Sequence, residues 1–570
     1  MGAYNKVLSE ETAPQEGALR ESAGPAQGRR WPGAHVFQID MRSLALLRIA
    51  YGFLLFCDTV VRWTDIRAHY SDFGVLPRQE LLKLAWNENW FSLHMASGSL
   101  IWLHGLFLLQ TVCSIALLIG WRTRLVTVLS WLLLISVHSR NPAVLNGGDI
   151  YMRCILFWML FLPWGHRWSY DSKRGRGDHL PWMNRISGNS LKGVAALAVV
   201  IQIACVYWFA ALPKTDPSWM VDYSATQLAL RVDQFVTPAG YLFRDLFDGQ
   251  LAIFTWAVIL WEALGPFLFF YPFDRGQTRT VGILGFMALH LGFGTMMQLG
   301  FFAWIGFLTP LVLLPAWVWD VPLKTLSCWA DARFGDGGER ESGKWYSVPR
   351  ELFFTFFLVY SFVWNLGNEE LQPRQLRVPR QMAWIGHSLR LDQRWNMFSP
   401  GPFTEDGWFI IEGHFKDGRD LDLFKDGGEI SWDKPRNVAG TYKNQRWRKY
   451  MMNLWLVENE RYRLPFGQYI CRLWNKNGRS PRELSTFSLI YMLETTNLDG
   501  SETEPEKRVI WQHWCFEKPS GVEKKAPALL DGGMRQVKPG LQKALRRQGR
   551  QEPESRGDRA EDSGKPGQDL

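Results

Sequence analysis

The stretch from Gly193 to Leu212 constrains this chain most: twenty residues with no charge and a single amide, Gln202. A helix of that length rises about 30 Å, the thickness of a bilayer's hydrocarbon core. Pro213 pushes Leu212 away from helical geometry and stops the helix. One lysine, Lys214, follows in the turn Thr215-Asp216-Pro217, and Trp219 comes just after it. An amine at a membrane edge has two readings. It can snorkel, burying its stem while the charge stays wet. Partial burial can instead disfavour the charged form and make it a base near neutral pH.

Comparable apolar runs fill residues 41–366 and predict a polytopic all-α membrane domain of about nine transmembrane helices. The expected spans are 43–63, 100–120, 124–138, 150–164, 193–212, 251–271, 280–297, 300–318 and 352–366. Thirty tryptophans suit a chain with much membrane–water interface. The net charge of +9 gathers in short loops between the runs. Arg122 and Arg124, the group from Arg167 through Lys173, Arg174 and Arg176 to Arg185, and Arg275 with Arg279 mark three loops as cytoplasmic. Arg29 and Arg30 put the N-terminus on that side. The loop with Arg140 and the one beginning at Lys214 then face outward. An odd number of spans leaves the C-terminal part extracytoplasmic, with the chain in the cell (inner) membrane. The bilayer accounts for the basic balance, and no nucleic-acid-binding motif competes with it.

Residues 1–40 read as a disordered leader and 521–570 as a disordered tail. Between them, residues 41–370 form the membrane domain and 373–520 a smaller β-rich or α+β soluble domain. Phe409–Phe415 and Asp420–Phe424 flank an Asp-Gly turn, a hairpin signal. Asn475–Gly478 predicts a further turn, Ser485–Thr495 a strand and Arg446–Tyr462 a helix. The seven cysteines show no zinc spacing, so no metal centre is expected. Only Cys471 and Cys515 lie in the soluble part, where they are either free or paired with each other.

Ionisable residues within apolar spans are costly and are usually paired or functional. Arg48 and Asp58 share the first span about 15 Å apart, too far to pair with each other. Glu262 precedes Pro266 and can bond the backbone that the proline frees. Asp149 can cap the fourth span or pair with Arg153. His290 can be a packed core histidine. In the assigned topology Asp149, Lys214 and His290 share one depth near the outer leaflet. There an acid, an amine and an imidazole can form a proton-transfer site, and walls rich in Trp and Phe suit a lipophilic cofactor.

Several motifs add a resemblance. LALLRIAYGFLLFCDTVVR with Arg48 and Asp58, YSDFGVLPR, YWFAALPKTDPSW, HLGFGTMMQLGFFAW and LRLDQRWNMFSPGPF resemble the HTTM family. That family is similar to vitamin K-dependent γ-glutamyl carboxylase, and this chain looks like a bacterial-type member. The resemblance places Lys214 on the family's catalytic base and His290 on a functional histidine. It implies a lyase that uses a reduced naphthoquinone of vitamin K or menaquinol type, with O2 and CO2, to carboxylate glutamate side chains of a protein or peptide. Trp219, Tyr223 and Trp208 would shape the cofactor pocket. The carboxylase has a histidine in the segment matching Asn146–Asp149, where Gly148 and Asp149 stand here. The loop 64–99 has no cysteine, so the family's disulfide to that loop is absent. The alternative is a non-catalytic membrane protein that binds a lipophilic ligand or serves as a scaffold. A transporter is a third reading, although no inverted repeat supports it.

Overall fold

A computed structural model describes residues 34–176, 185–338, 347–367, 376–476, 483–497 and 501–516. The leader up to residue 33, Asn477 and Gly478 of the expected Asn475–Gly478 turn, and the tail from 517 lie outside these residues.

Helices occupy the positions of all nine expected spans. They are α1 (Met41–Trp63), α2 (Leu100–Ile119), α3 (Thr123–Arg140), α4 (Gly147–Met159), α5 (Val194–Ala211), α6 (Leu251–Leu264), α7 (Gln277–Met296), α8 (Phe301–Leu308) and α9 (Ser347–Leu366). Four meet the length and apolarity needed to cross a membrane: α1, α2, α5 and the segment Asp248–Phe270 built on α6. The expected count of nine is therefore narrowed to four helices of that kind among the described residues. The reasons are local. α4 has only 13 residues and is almost wholly buried. α3 buries polar Ser130, Ser136, His138 and Arg140 against its neighbours. α8 gives way after Leu308 to a 3-10 turn that contains Pro310.

One large core unites these helices, with Tyr51, Tyr151, Ile203 and Phe286 at its centre. The intramembrane Arg48 is fully buried. Its guanidinium donates to Leu117 O and Leu118 O, both at 2.6 Å, and to Trp164 O and Trp168 O. It thus satisfies the last carbonyls of α2, where a cation also suits the helix dipole. As expected, Arg48 and Asp58 do not meet.

The C-terminal region is α+β. Strands β1 (Gln38–Asp40), β2 (Arg185–Ser187) and β3 (Ser190–Lys192) form a small sheet beside the helices. Strands β4 (Glu405–Phe415), β5 (Asp420–Asp422), β6 (Leu484–Thr495) and β7 (Glu506–Trp514) form the second sheet, antiparallel in the order β5-β4-β6-β7. The Asp-Gly hairpin is present: His414 pairs with Asp420 and Glu412 with Asp422. Alternation along β4 sends Phe409 and Ile411 to one face and Trp408 and Ile410 to the other. The expected helix after Arg446 is α10 (Gln445–Trp455), which continues as a 3-10 turn, Val457–Tyr462. A further helix, α11 (Arg463–Asn475), follows. Cys471 and Cys515 form a disulfide that ties α11 to the end of β7.

The sheet domain does not stand apart. Its core includes Val75, Leu76 and Leu81 from the α1–α2 connection, and Ala143 and Val144 from the α3–α4 connection. Phe409, Tyr450, Phe466 and Phe487 pack into the same cluster.

Candidate active site

α5 ends where Pro213 requires it, and Lys214 N bonds back to Ala211 O at 3.0 Å. The side chain turns inward and is 2% exposed. Its Nζ donates to Glu262 Oε2 on α6 and lies 4.3 Å from the centroid of the Trp219 ring. Glu262 is itself buried. The expectation that Glu262 serves the backbone near Pro266 is corrected: its carboxylate takes the lysine. A buried charge requires a partner far more than a freed carbonyl does.

A strap from the C-terminal side covers this pair. Trp219 Nε1 donates to Phe398 O at 3.0 Å, Ser399 Oγ to Pro213 O at 3.0 Å, and Asp216 N to Pro400 O at 3.2 Å. The side chain of Asp216 also caps the short turn Pro217–Met220, which orients Trp219.

His290 lies on α7, 2% exposed, with Nε2 at 3.1 Å from the Tyr207 hydroxyl. Tyr207 stacks on Phe286 at 3.8 Å. Gly306 makes room for the imidazole, because a Cβ there would fall 2.1–2.4 Å from its ring atoms. His290 Nδ1 makes no hydrogen bond among the described residues, and neither do Trp208 Nε1 and Trp261 Nε1. Trp208 packs on Phe267 and Phe270. Tyr223 sits half-buried in the turn after Met220 at φ 54°, and no contact ties it to Lys214.

Asp149 belongs to a different constellation. Asn146 caps α4, and Asp149 closes the capping box from the third helical position. Its oxygens also accept from Arg62 and Arg446. Arg153, its expected partner, instead reaches Asp392 at 2.9 Å. Asp58 joins the cluster through Arg62 at 2.7 Å and through Arg446. His138 Nε2 lies 3.5 Å from Asp149, so a histidine stands beside Asp149 although none is near it in sequence. Two arginines thus face two aspartates at full burial. Asp149 holds charge there, and the structure does not bring it to the lysine. The link to His290 is steric: Gly148 packs on the Phe302 backbone, and Phe302 lies 5.4 Å from the His290 ring.

Sequence reasoning missed Arg62, His138, Tyr207 and Arg446. Arg62 carried a signal, being one turn beyond Asp58 on the same helix. Arg446, 388 residues from Asp58, carried none.

A second acidic group lies where the sheet domain meets the α5–α6 connection. Asp233, Asp406 and Glu494 bring one oxygen each within 4.8 Å of one another. Lys434 Nζ sits among them, 2.6 Å from Asp233 and bonded to Glu494, and supplies the counter-charge. Asp406 accepts from Gln234 at 2.8 Å, and burial pushes its pKa up to about 8.

No solved structure matches the chain. Residues 37–317 match the family model described as HTTM domain. That stretch holds α1 to α8 with Asp149, Lys214, Glu262 and His290, and the sheet domain lies beyond it. Over those residues the chain carries an HTTM domain.

Proposed function

We propose that this protein is an integral-membrane, quinol-dependent enzyme of the γ-glutamyl carboxylase type. The supporting observation is Lys214: a buried amine whose only polar partner among the described residues is Glu262, set against an indole face. Together the two groups are net neutral, which makes their burial tolerable. Glu262 Oε2 can accept the proton from Nζ. The amine is then free to take a proton from an acidic hydroxyl placed beside it. The ammonium formed would steady the anion left behind.

A reduced naphthoquinone fits the residues nearby. His290 Nδ1, Trp208 Nε1 and Trp261 Nε1 are polar atoms without partners among the described residues, and Phe286, Phe267 and Phe270 supply apolar surface. When bound, the quinol would supply the acidic hydroxyl and, on oxidation by O2, a base strong enough to take a γ-proton from glutamate, leaving a carbanion to which CO2 would add. His290 and Tyr207 would orient one quinol oxygen, Lys214 would hold the proton at Nζ, and the strap at Phe398–Pro400 would exclude water. Trp219 fixes the amine, while Tyr223 would act only at the rim.

Nine spans with the sheet domain extracytoplasmic complete this reading. Helices at all nine positions support it, as does the Cys471–Cys515 disulfide, since such bonds persist in oxidising compartments. The non-catalytic alternative draws on the closed, charge-compensated state of Lys214. The deciding experiment supplies the full chain in nanodiscs with reduced naphthoquinone, O2, labelled bicarbonate and a glutamate-rich peptide. Label should enter the peptide and vanish in Lys214→Ala. Equal incorporation by that variant removes Lys214 as the base.

A further inference from the structure

Helix α10 lies across the ends of the HTTM helices. Arg446 reaches Asp58 and Asp149, Asn453 Nδ2 donates to Ala143 O, and Gln445 packs against Gly300 in the α7–α8 turn. Two further cations on this helix make no ion pair among the described residues. Arg448 is 3% exposed, donates to Gln298 O at 3.0 Å and to Met452 Sδ, and lies 4.1 Å over the Phe235 ring. Its Nε has no hydrogen-bond partner among the described residues. Lys449 is half-buried and makes no hydrogen bond or ion pair among the described residues. Burial, and then its neighbour Arg448, press the Lys449 pKa down to about 8; burial presses Arg448 to about 10. The carboxylate that acts on Arg448 is Asp406, itself pushed up to about 8 and committed to Gln234. Desolvated cations without counter-ions are costly, and an arriving anion removes that cost.

These cations also connect with the candidate active site. Phe235, beneath Arg448, lies 6.1 Å from Phe398. Phe398 O accepts from Trp219, whose ring faces Lys214.

We propose that Arg448 and Lys449 form a docking site for the carboxylates of an acidic peptide, at the junction of the sheet domain and the HTTM domain. This rests on the reading of Lys214 as the base of a glutamate-modifying enzyme, and it assigns α10 the task of holding the substrate. Arg448 can offer a planar fork to one carboxylate, and Lys449 a point charge to the same or the next. The aromatic path through Phe235 and Phe398 leads from there to the lysine.

The test measures binding of a synthetic ten-glutamate peptide to the full chain in nanodiscs of zwitterionic lipid, without quinol. A ten-glutamine peptide serves as the control. The glutamate peptide should bind far better than the control. Lys449→Gln should weaken it about tenfold or more, and Lys449→Arg should restore most of the affinity. Lys449 has no structural bond to lose, so this variant should fold even where Arg448→Gln does not. Unchanged affinity in Lys449→Gln overturns the docking site. Displacement of the peptide by vesicles of anionic lipid, with Lys449-dependent vesicle binding, overturns it in favour of a headgroup site. The two readings fail separately. A chain that loses quinol oxidation in Lys214→Ala but binds peptide independently of Lys449 refutes docking alone. A chain that binds peptide through Lys449 but oxidises quinol without Lys214 refutes the base alone.

Discussion

Replacing Glu262 by Gln keeps the side chain's shape and removes the charge that faces Lys214. Side-chain exposure is 2% for the lysine and 5% for the glutamate, so little solvent is present to screen the loss. Breaking a buried pair by removing one partner costs about 3–5 kcal/mol, because the remaining charge stays desolvated. The Trp219 ring at 4.3 Å cannot make up that loss, since a desolvated cation–π contact contributes about 2 kcal/mol and is already present. Glu262→Gln and Lys214→Met should therefore each destabilise the chain by about 3–5 kcal/mol. The double variant Lys214→Met/Glu262→Gln should recover most of it, because neither charge is then left buried without its partner. Unfolding of all four chains in nanodiscs gives the coupling energy directly. Single losses below about 1 kcal/mol, or simple additivity in the double variant, would refute a buried, mutually dependent pair.

Three further outcomes follow from the structure. Arg446→Met leaves Asp58 and Asp149 with Arg62 alone; it should cost about 3–5 kcal/mol and speed proteolysis of the 376–403 connection, and an unchanged cleavage rate would contradict the clamp. Gly306→Ala puts a methyl where the His290 ring lies, so the Tyr207 bond should be lost and naphthoquinol affinity should fall; wild-type affinity would remove His290 from the site. Asp406 has a folded pKa raised by burial from 3.8 to about 8, so between those values the native state holds a proton that the unfolded chain releases. Stability should decline as pH rises through that window, and Asp406→Asn should flatten the decline; an equal slope in the variant would contradict the assignment.

The features legible in the sequence were those set by neighbours along the chain. The proline stop before Lys214 and the Asp-Gly hairpin each rest on residues a few positions apart, whereas the cap expected at Asp149 is made by Asn146, with Asp149 at the third helical position. The partners of the charged groups were not legible. Glu262 is 48 residues from Lys214, and Arg446 lies outside the matched domain altogether. An apolar span shows that a charge within it needs a partner, but nothing local names that partner. The number of spans was not legible for a related reason. α3 and α4 are apolar enough to be buried, and burial among helices leaves the same pattern in the sequence as burial in lipid. The shared core of the sheet domain was hidden likewise, since Val75, Leu76, Ala143 and Val144 look like ordinary loop residues.

Quinol oxidation is the most direct test of the part given to Lys214. The full chain in nanodiscs, supplied with reduced naphthoquinone and O2, should oxidise quinol. Lys214→Ala should fall to the rate of empty nanodiscs, while retaining the fold by circular dichroism. Oxidation at the wild-type rate in that variant would contradict Lys214 as the base.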